Sequence, residues 1–268
     1  MEDESGKHRW KGPTLREIAD VAGVGSATVD RVLNNRQGVR EKTRRRVMAA
    51  VEKLTHERND DDKVLDIRLF CDSGETFNSA MAAAEEKVNR TTHGARITGT
   101  YITTSLLDPD IFSRRIEEDG RNADGVIVVT REHPAMNRAV RKLEADGIPV
   151  VCLTTDLPSS RRSFYVGNNQ HAAGSVAAQL IGKALPRERD RILLIMSEPF
   201  RCQQEREMGF RRVLRSDFPH LKIEERVVSD DVPDHTFRQL RSYFEDKGLP
   251  AAIYNVAGAN RGVALAME

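Results

Sequence analysis

The sequence lacks any long apolar run, and no stretch approaches the roughly 20 consecutive apolar residues that a membrane span requires. Its beginning is also poor in apolar segments: residues 1–13 are polar and charged and contain nothing resembling the core of a secretory signal. We therefore expect a soluble, cytoplasmic protein with no membrane partner, and residues 1–13 as a disordered tail.

Cysteine is scarce, and its placement argues against disulfide bonds and metal sites. Cys71, Cys152 and Cys202 are odd in number, far apart and set in apolar or strand-like segments. This pattern favours reduced, buried thiols over a disulfide framework. The paired Cys-x-x-Cys spacing of many metal sites is missing as well. We expect no metal ion and no other cofactor.

Catalytic signatures are also missing. The chain has no Gly-x-Ser-x-Gly elbow, phosphate-binding loop, His-Glu-x-x-His helix or dinucleotide fingerprint. His133 and His171 are candidates for acid-base chemistry, but isolated histidines at loop starts are more often solvated or capping residues. We expect a binding protein rather than an enzyme.

Charge is unevenly distributed, although the net charge is only +1. Residues 7–58 contain thirteen Lys and Arg against six Asp and Glu, whereas the remainder is mildly acidic. A basic module on a neutral or acidic body predicts a polyanionic partner for the first part of the chain. An ordinary solvated charged surface is the alternative, and charge alone does not choose between them.

The first sixty residues predict three short helices. Thr14 and Glu17 have the spacing of a capping box, apolar residues follow at helical spacing, and Gly23 suits a left-handed C-terminal cap. A second helix covers residues 26–33 and a third covers about 40–54. Two short helices joined by a tight glycine-containing turn, with a third behind them, form a helix-turn-helix, whose second helix enters the major groove of DNA.

The motifs here resemble the headpiece of the LacI/GalR repressor family. They are TLREIADVAGV at residues 14–24 and ATVDRVLN at 27–34, and residues 39–54 resemble the third helix of that headpiece. The resemblance implies that Ser26 and Ala27 face base edges and that Arg31 contacts guanine, whose two acceptors suit the guanidinium fork. It also implies phosphate contacts from Thr14, Thr28, Asn34 and Thr43. A three-helix bundle without nucleic acid is the alternative.

The segment after the third helix departs from this family. Most members place there a hinge that pushes an apolar side chain into the minor groove. Here Asp60, Asp61 and Asp62 are consecutive carboxylates, and residues 55–63 contain no apolar side chain. We therefore assign the DNA-binding domain to residues 14–55 and interpret residues 56–63 as a flexible polar linker without that contact.

From Val64 onward, β-branched apolar runs alternate with helical periodicity. Strands are predicted near residues 64–71, 97–102, 125–129, 150–153, 163–166, 192–196, 223–228 and 252–256. Repeated strand-helix units indicate an α/β fold with doubly wound parallel sheets, which bind ligands beyond the carboxyl ends of their strands.

The order of these units resembles the periplasmic-binding-protein-like effector domain of the same family. The resemblance implies a domain over residues 64–268 with two lobes, one at about 64–157 and the other at about 164–268. The chain would cross between them near 157–164, where the pattern is interrupted. Because relatives return to the first lobe, we expect roughly 60 to 80 further residues after Glu268.

Polar side chains at strand ends are the candidates for effector binding. Arg206 also precedes Gly209 and Phe210 as a ligand-binding arginine does in many relatives, and Phe77 offers an apolar face for a sugar ring. Carboxylates, amides and arginine suit polyhydroxylated or carboxylated small molecules. The candidates are Asp72, Ser73, Phe77, Arg131, Glu132, Asp156, Arg206 and Asn255, with Asp156 and Arg206 facing each other from opposite lobes.

The family resemblance predicts a transcription regulator that forms a homodimer or a higher oligomer. A repressor of a catabolic operon is the favoured interpretation, and an activator would share every feature described. The regulator would bind a roughly palindromic operator with an affinity modulated by a sugar-like or polyol effector. A solute-binding receptor without a DNA role is the alternative, but it would need an export signal and no basic headpiece.

Overall fold

The computed structural model describes residues 13–34, 36, 38–58, 64–186, 190–197 and 200–268. The chain separates into two compact units, the first reaching Val64 and the second beginning at Leu65. Residues 1–12 of the predicted tail and 59–63 of the predicted linker lie outside the described residues.

The first unit contains three helices, as the sequence predicts: α1 (Leu15–Ala22), α2 (Ser26–Leu33) and α3 (Glu41–Arg58). The capping box is confirmed, since the Glu17 amide donates to Thr14 Oγ1 at 3.3 Å and the Thr14 amide donates to Glu17 Oε2 at 2.6 Å. Gly23 adopts the expected left-handed cap, with φ 60°. The helices enclose a core of Ile18, Ala19, Ala22, Val29, Val32, Val47 and Ala50.

α3 is longer than predicted, and this corrects the start of the linker. The helix continues to Arg58, so residues 56–58 are helical rather than part of a flexible segment. Val51 and Leu54 pack against the core, and the Thr55 hydroxyl donates to the Val51 carbonyl at 2.7 Å. Residues 56–58 include no glycine or proline that would end the helix.

The second unit confirms the predicted α/β class. Its described strands form two parallel sheets, with orders β2-β1-β3-β4-β5 and β7-β6-β8. The strands are β1 (Leu65–Ser73), β2 (Ala95–Thr103), β3 (Gly125–Val129), β4 (Val150–Leu153), β5 (Phe164–Val166), β6 (Arg191–Met196), β7 (Lys222–Val228) and β8 (Ala252–Asn255). The helices are α4 (Glu75–Thr91), α5 (Pro109–Gly120), α6 (Pro134–Ala145), α7 (Gln170–Ala184), α8 (Arg201–Asp217), α9 (Pro233–Lys247) and α10 (Asn260–Met267).

The predicted crossing between lobes is wrong. β5 pairs with β4, so residues 164–166 belong to the first sheet, and the chain leaves that sheet only after Val166. The interruption at residues 157–164 is a turn back onto the first lobe, because Leu157 is buried in its core. Ser163 fixes the return: its amide donates to the Val150 carbonyl at 2.9 Å and to Glu144 Oε1 at 2.7 Å.

Each lobe has its own apolar core, and the three cysteines are free and buried, as predicted. In the first lobe, the rings of Phe70 and Phe112 meet edge to face with centroids 6.2 Å apart. In the second lobe, Phe210 stacks on Tyr254 at 4.3 Å. None of the helices in the described ranges is long and apolar enough to cross a membrane.

Candidate nucleic-acid interface and ligand cavity

The exposed face of α2 carries the side chains predicted to read bases. Val29 and Val32 point into the core, and this rotation leaves Ser26, Ala27 and Arg31 exposed. Arg31 lies one turn beyond Ala27, so the three side chains share a continuous surface. The first unit therefore presents two small side chains and one guanidinium on the helix that a helix-turn-helix inserts into DNA.

Arg46 of α3 holds the turn before this helix, and sequence reasoning missed it. Its Nη2 donates to the Ala22 carbonyl at 2.6 Å and lies 3.4 Å from the Gly23 carbonyl. These carbonyls end α1, where a positive charge is favourable. No local sequence pattern indicates a contact between Ala22 and Arg46, which lie 24 positions apart.

Two of the predicted phosphate contacts already have partners within the first unit. The Asn34 amide donates to the carboxylate of Asp30 at 2.7 Å, and that carboxylate also accepts from Arg36 at 3.2 Å. The Thr14 hydroxyl belongs to the capping box described above. Thr28 and Thr43 are half-buried at the first turns of α2 and α3. Their contacts with phosphate stay predictions.

A cavity of about 390 Å³ lies beyond the carboxyl ends of strands from both sheets of the second unit. Three of the eight predicted effector residues line it: Ser73 at the end of β1, Phe77 in the first turn of α4 and Arg206 in the second turn of α8. Its size and position are typical of a small-molecule site in an open α/β sheet.

The structure corrects the expected pairing of Asp156 with Arg206. Asp156 is not among the residues that line the cavity. Its carboxylate accepts from Arg162 Nε at 2.5 Å and Nη2 at 2.7 Å, in a bidentate pair within the first lobe. Sequence reasoning assigned Asp156 to the cavity because it follows β4, but it did not foresee a guanidinium six residues later.

Four other candidates also lie outside the cavity lining, and each has polar partners elsewhere. Asp72 is fully buried, with Arg131 Nε at 3.4 Å, and burial raises the pKa of its carboxyl. Arg131 also donates to the Thr104 carbonyl. The remaining two are Glu132, paired with Arg201 at 3.6 Å, and Asn255, whose amide donates to Gly258 at 2.9 Å and Asn260 at 2.8 Å.

Several polar residues in the cavity lining were not predicted. Thr154 and Thr155 directly follow β4, so the rule that selected Asp156 could have found them. Gln203 lies inside a helix, where no strand-end rule applies. The full set of polar residues that were missed is Thr76, Thr154, Thr155, Asn168, Gln170, Gln203, Asp231 and Asn260.

Backbone strain is concentrated at the cavity. Among the described residues other than glycine, four have positive φ, and three of these line the cavity: Thr154 at 66°, Asp231 at 62° and Ala259 at 55°. Residues with a side chain rarely adopt a positive φ, and each such residue costs energy that the surrounding structure must offset. Such strain is frequent at ligand sites and supports the interpretation of this cavity as a ligand site.

The two lobes touch around the cavity. The Cys202 amide donates to Thr155 Oγ1 at 3.4 Å, which joins α8 to the end of β4. Gly74, before α4, approaches Asp231 so closely that a Cβ on the glycine would lie 2.4 Å from the Asp231 Cβ. Residues of both lobes therefore line the cavity.

Comparisons with known protein families cover both units. The model of the periplasmic binding protein domain matches residues 73–268, and that of bacterial regulatory proteins of the lacI family matches residues 14–59. The probable HTH-type transcriptional repressor ExuR of Bacillus subtilis is 22% identical over 251 residues, which cover 90% of this chain and 72% of the relative. The HTH-type transcriptional regulator GntR of Escherichia coli K12 is 27% identical over 183 residues, covering 65% and 53%.

The solved structures that resemble this chain include a transcriptional regulator and a solute-binding protein. A lacI-family transcriptional regulator from Silicibacter pomeroyi has a TM-score of 0.59 at 25% identity, covering 95% of this chain and 77% of its own. A transporter solute-binding protein from Burkholderia graminis, in complex with D-arabinose, has a TM-score of 0.69 at 21% identity, covering 78% and 71%. The second likeness shows the fold alone.

Proposed function

Because this chain belongs to the lacI family of bacterial regulatory proteins, with a periplasmic binding protein domain, we propose that it is a repressor of transcription. It binds operator DNA through α2, and a small carbohydrate-like effector in the cavity modulates that binding. It acts in the cytoplasm, where the chromosome lies.

The exposed face of α2 is the observation that carries the DNA-binding role. Arg31 projects from the exposed face of a helix that buries Val29 and Val32 in the core, and Arg46 hydrogen-bonds to the turn before this helix. Arginine donates to both O6 and N7 of guanine, and small side chains at 26 and 27 allow close approach to base edges and thymine methyl groups. The basic charge of residues 7–58 supplies attraction to phosphates.

The cavity supports the effector role. Hydroxyl and amide groups of Thr76, Thr154, Asn168 and Gln170 lie around it, and Phe77 provides an apolar surface. A sugar-like molecule needs this combination, because every hydroxyl that loses water requires a hydrogen-bond partner. The solute-binding relative described with D-arabinose has the same fold.

We also propose that the protein binds DNA as a homodimer. One headpiece makes few base contacts, and two copies related by twofold symmetry read two half-sites one helical turn or more apart. The operator is therefore roughly palindromic.

The test is selection of DNA sites from random duplexes by the purified full chain. The proposal expects enrichment of one inverted repeat, with the preference relaxed at one base pair of each half-site in Arg31→Ala but not in Arg114→Ala, an exposed arginine of α5. A chain that binds sugars but enriches no sequence would instead support the solute-receptor alternative.

A further inference from the structure

Asp30 is a carboxylate on the exposed side of α2, the helix proposed to enter the major groove. It lies one helical turn beyond Ser26 and Ala27 and directly before Arg31, and its side chain is 37% exposed. The phosphates that border the groove repel a negative charge at this position. An unpaired carboxylate here would therefore weaken DNA binding.

Both oxygens of the Asp30 carboxylate accept hydrogen bonds from residues that follow α2. Oδ1 accepts from Asn34 Nδ2 at 2.7 Å, and Oδ2 accepts from Arg36 Nη1 at 3.2 Å. The Arg36 amide also donates to the Arg31 carbonyl at 2.8 Å, so backbone and side chain both hold Arg36 at the end of α2. The carbonyl groups at the C-terminus of a helix favour a cation at this place.

Asn34 and Arg36 differ in the donors that these contacts leave. The side-chain amide of Asn34 has two N–H donors, and both are used, because Nδ2 also donates to the Asp30 carbonyl at 3.0 Å. The guanidinium of Arg36 has about five donors, the pair with Asp30 involves Nη1, and the side chain is 65% exposed. Arg36 can thus bind Asp30 and a phosphate together, whereas Asn34 must leave Asp30 before it can donate to a phosphate.

We propose that Arg36 donates to a DNA phosphate beside the groove that α2 enters, and that Asp30 is the residue that positions it. This inference replaces the phosphate contact predicted for Asn34, and it rests on the proposed function in taking α2 as the helix that enters DNA. Asp30 orients the guanidinium before DNA is bound, so less side-chain entropy is lost on binding. The guanidinium in turn neutralises the carboxylate and offsets its repulsion of the phosphates.

Binding of the full chain to the selected operator and to a scrambled duplex, measured over a range of salt concentrations, tests the phosphate contact. Arg36→Gln removes the charge. We expect it to weaken binding to both duplexes about 10-fold and to reduce the slope of log K against log salt concentration by about 1. An unchanged slope overturns this inference alone, whereas a wild type that binds neither duplex overturns the proposed function with it.

Asp30→Asn tests the positioning role, because positioning and simple electrostatics predict opposite effects. Loss of a negative charge by itself favours DNA binding, so the control Asp20→Asn, at an exposed carboxylate of α1, should show no weakening. Asp30→Asn should instead weaken binding to both duplexes about 2- to 10-fold, because Arg36 loses the partner that orients it. Equal or tighter binding contradicts the proposal. A loss confined to one base pair also contradicts it, since Asp30 would then accept from cytosine.

The double variant Asp30→Asn/Arg36→Gln separates positioning from a purely structural role. In the absence of Arg36 the carboxylate has no guanidinium to orient, so Asp30→Asn should then leave the affinity for DNA unchanged or raise it. The same loss of affinity with and without Arg36 would show that Asp30 only stabilises the end of α2, and it would overturn the inference.

Discussion

Arg31 is the long hydrogen-bond donor on the exposed face of α2 that we propose reads bases. We expect Arg31→Ala to cost about 1–3 kcal/mol of affinity for the selected site and to relax the preference at one base pair. Fluorescence anisotropy with the selected duplex and a scrambled duplex measures both effects. An equal loss on the two duplexes would mean that Arg31 contacts phosphate rather than a base.

Asp72 makes stability depend on pH. Burial raises the pKa of its carboxyl, despite the opposing effect of Arg131. A carboxyl with a raised folded-state pKa contributes stability that is full below its unfolded pKa and is lost as pH rises through the folded value. Asp72→Asn lacks this loss, so its Tm relative to the wild type should increase as pH rises above about 4. A Tm difference between the two proteins that stays constant as pH rises would contradict the raised pKa of Asp72.

At the scale of elements, Arg46 connects α3 to the end of α1. Arg46→Ala leaves two carbonyls at the C-terminus of α1 without this donor, and we expect the first unit to lose about 1–2 kcal/mol of unfolding free energy. The control is Arg45→Ala, whose exposed pair with Glu41 at 3.6 Å contributes little. Hydrogen exchange of the α1 and α2 amides in the full chain reports the difference. Equal protection in the two variants would show that Arg46 does not fix the turn.

The contact between Gly74 and Asp231 predicts a second effect at this scale. In Gly74→Ala the new Cβ would lie 2.4 Å from the Asp231 Cβ, so the backbone at this contact between the lobes must shift. We expect ligand affinity to fall about 10-fold or more, with effector-free DNA binding unchanged. Gly25→Ala, where a Cβ meets nothing within 4 Å, should leave ligand titrations unchanged. Wild-type ligand affinity in Gly74→Ala would show that this approach is not needed for binding.

The sequence predicts the elements better than their contacts. The eight described strands begin and end within two residues of their predicted bounds, because runs of β-branched residues between turn residues are a local signal. The sequence did not predict that the chain leaves the first lobe only after Val166, because the pairing of β5 with β4 depends on tertiary structure. Asp156 was misassigned for a similar reason, since its partner Arg162 depends on how the chain turns back.

We expect the whole molecule to be a homodimer. Twofold pairing doubles the base contacts and explains why an operator would be palindromic. Analytical ultracentrifugation of the full chain at micromolar concentration should give a dimer, and footprinting should protect two half-sites. A monomer that protects one half-site would contradict dimeric recognition.

The central claim is that a ligand in the cavity changes the affinity of the first unit for DNA. The direct measurement is a titration of the selected operator with the full chain, with and without a saturating concentration of a sugar that the chain binds in calorimetric titration. We expect the ligand to shift the Kd of the wild type for the operator by about 5- to 150-fold. Arg206→Gln should bind the operator like the wild type when ligand is absent and show no shift when it is added. Identical wild-type affinities with and without bound ligand would contradict the claim.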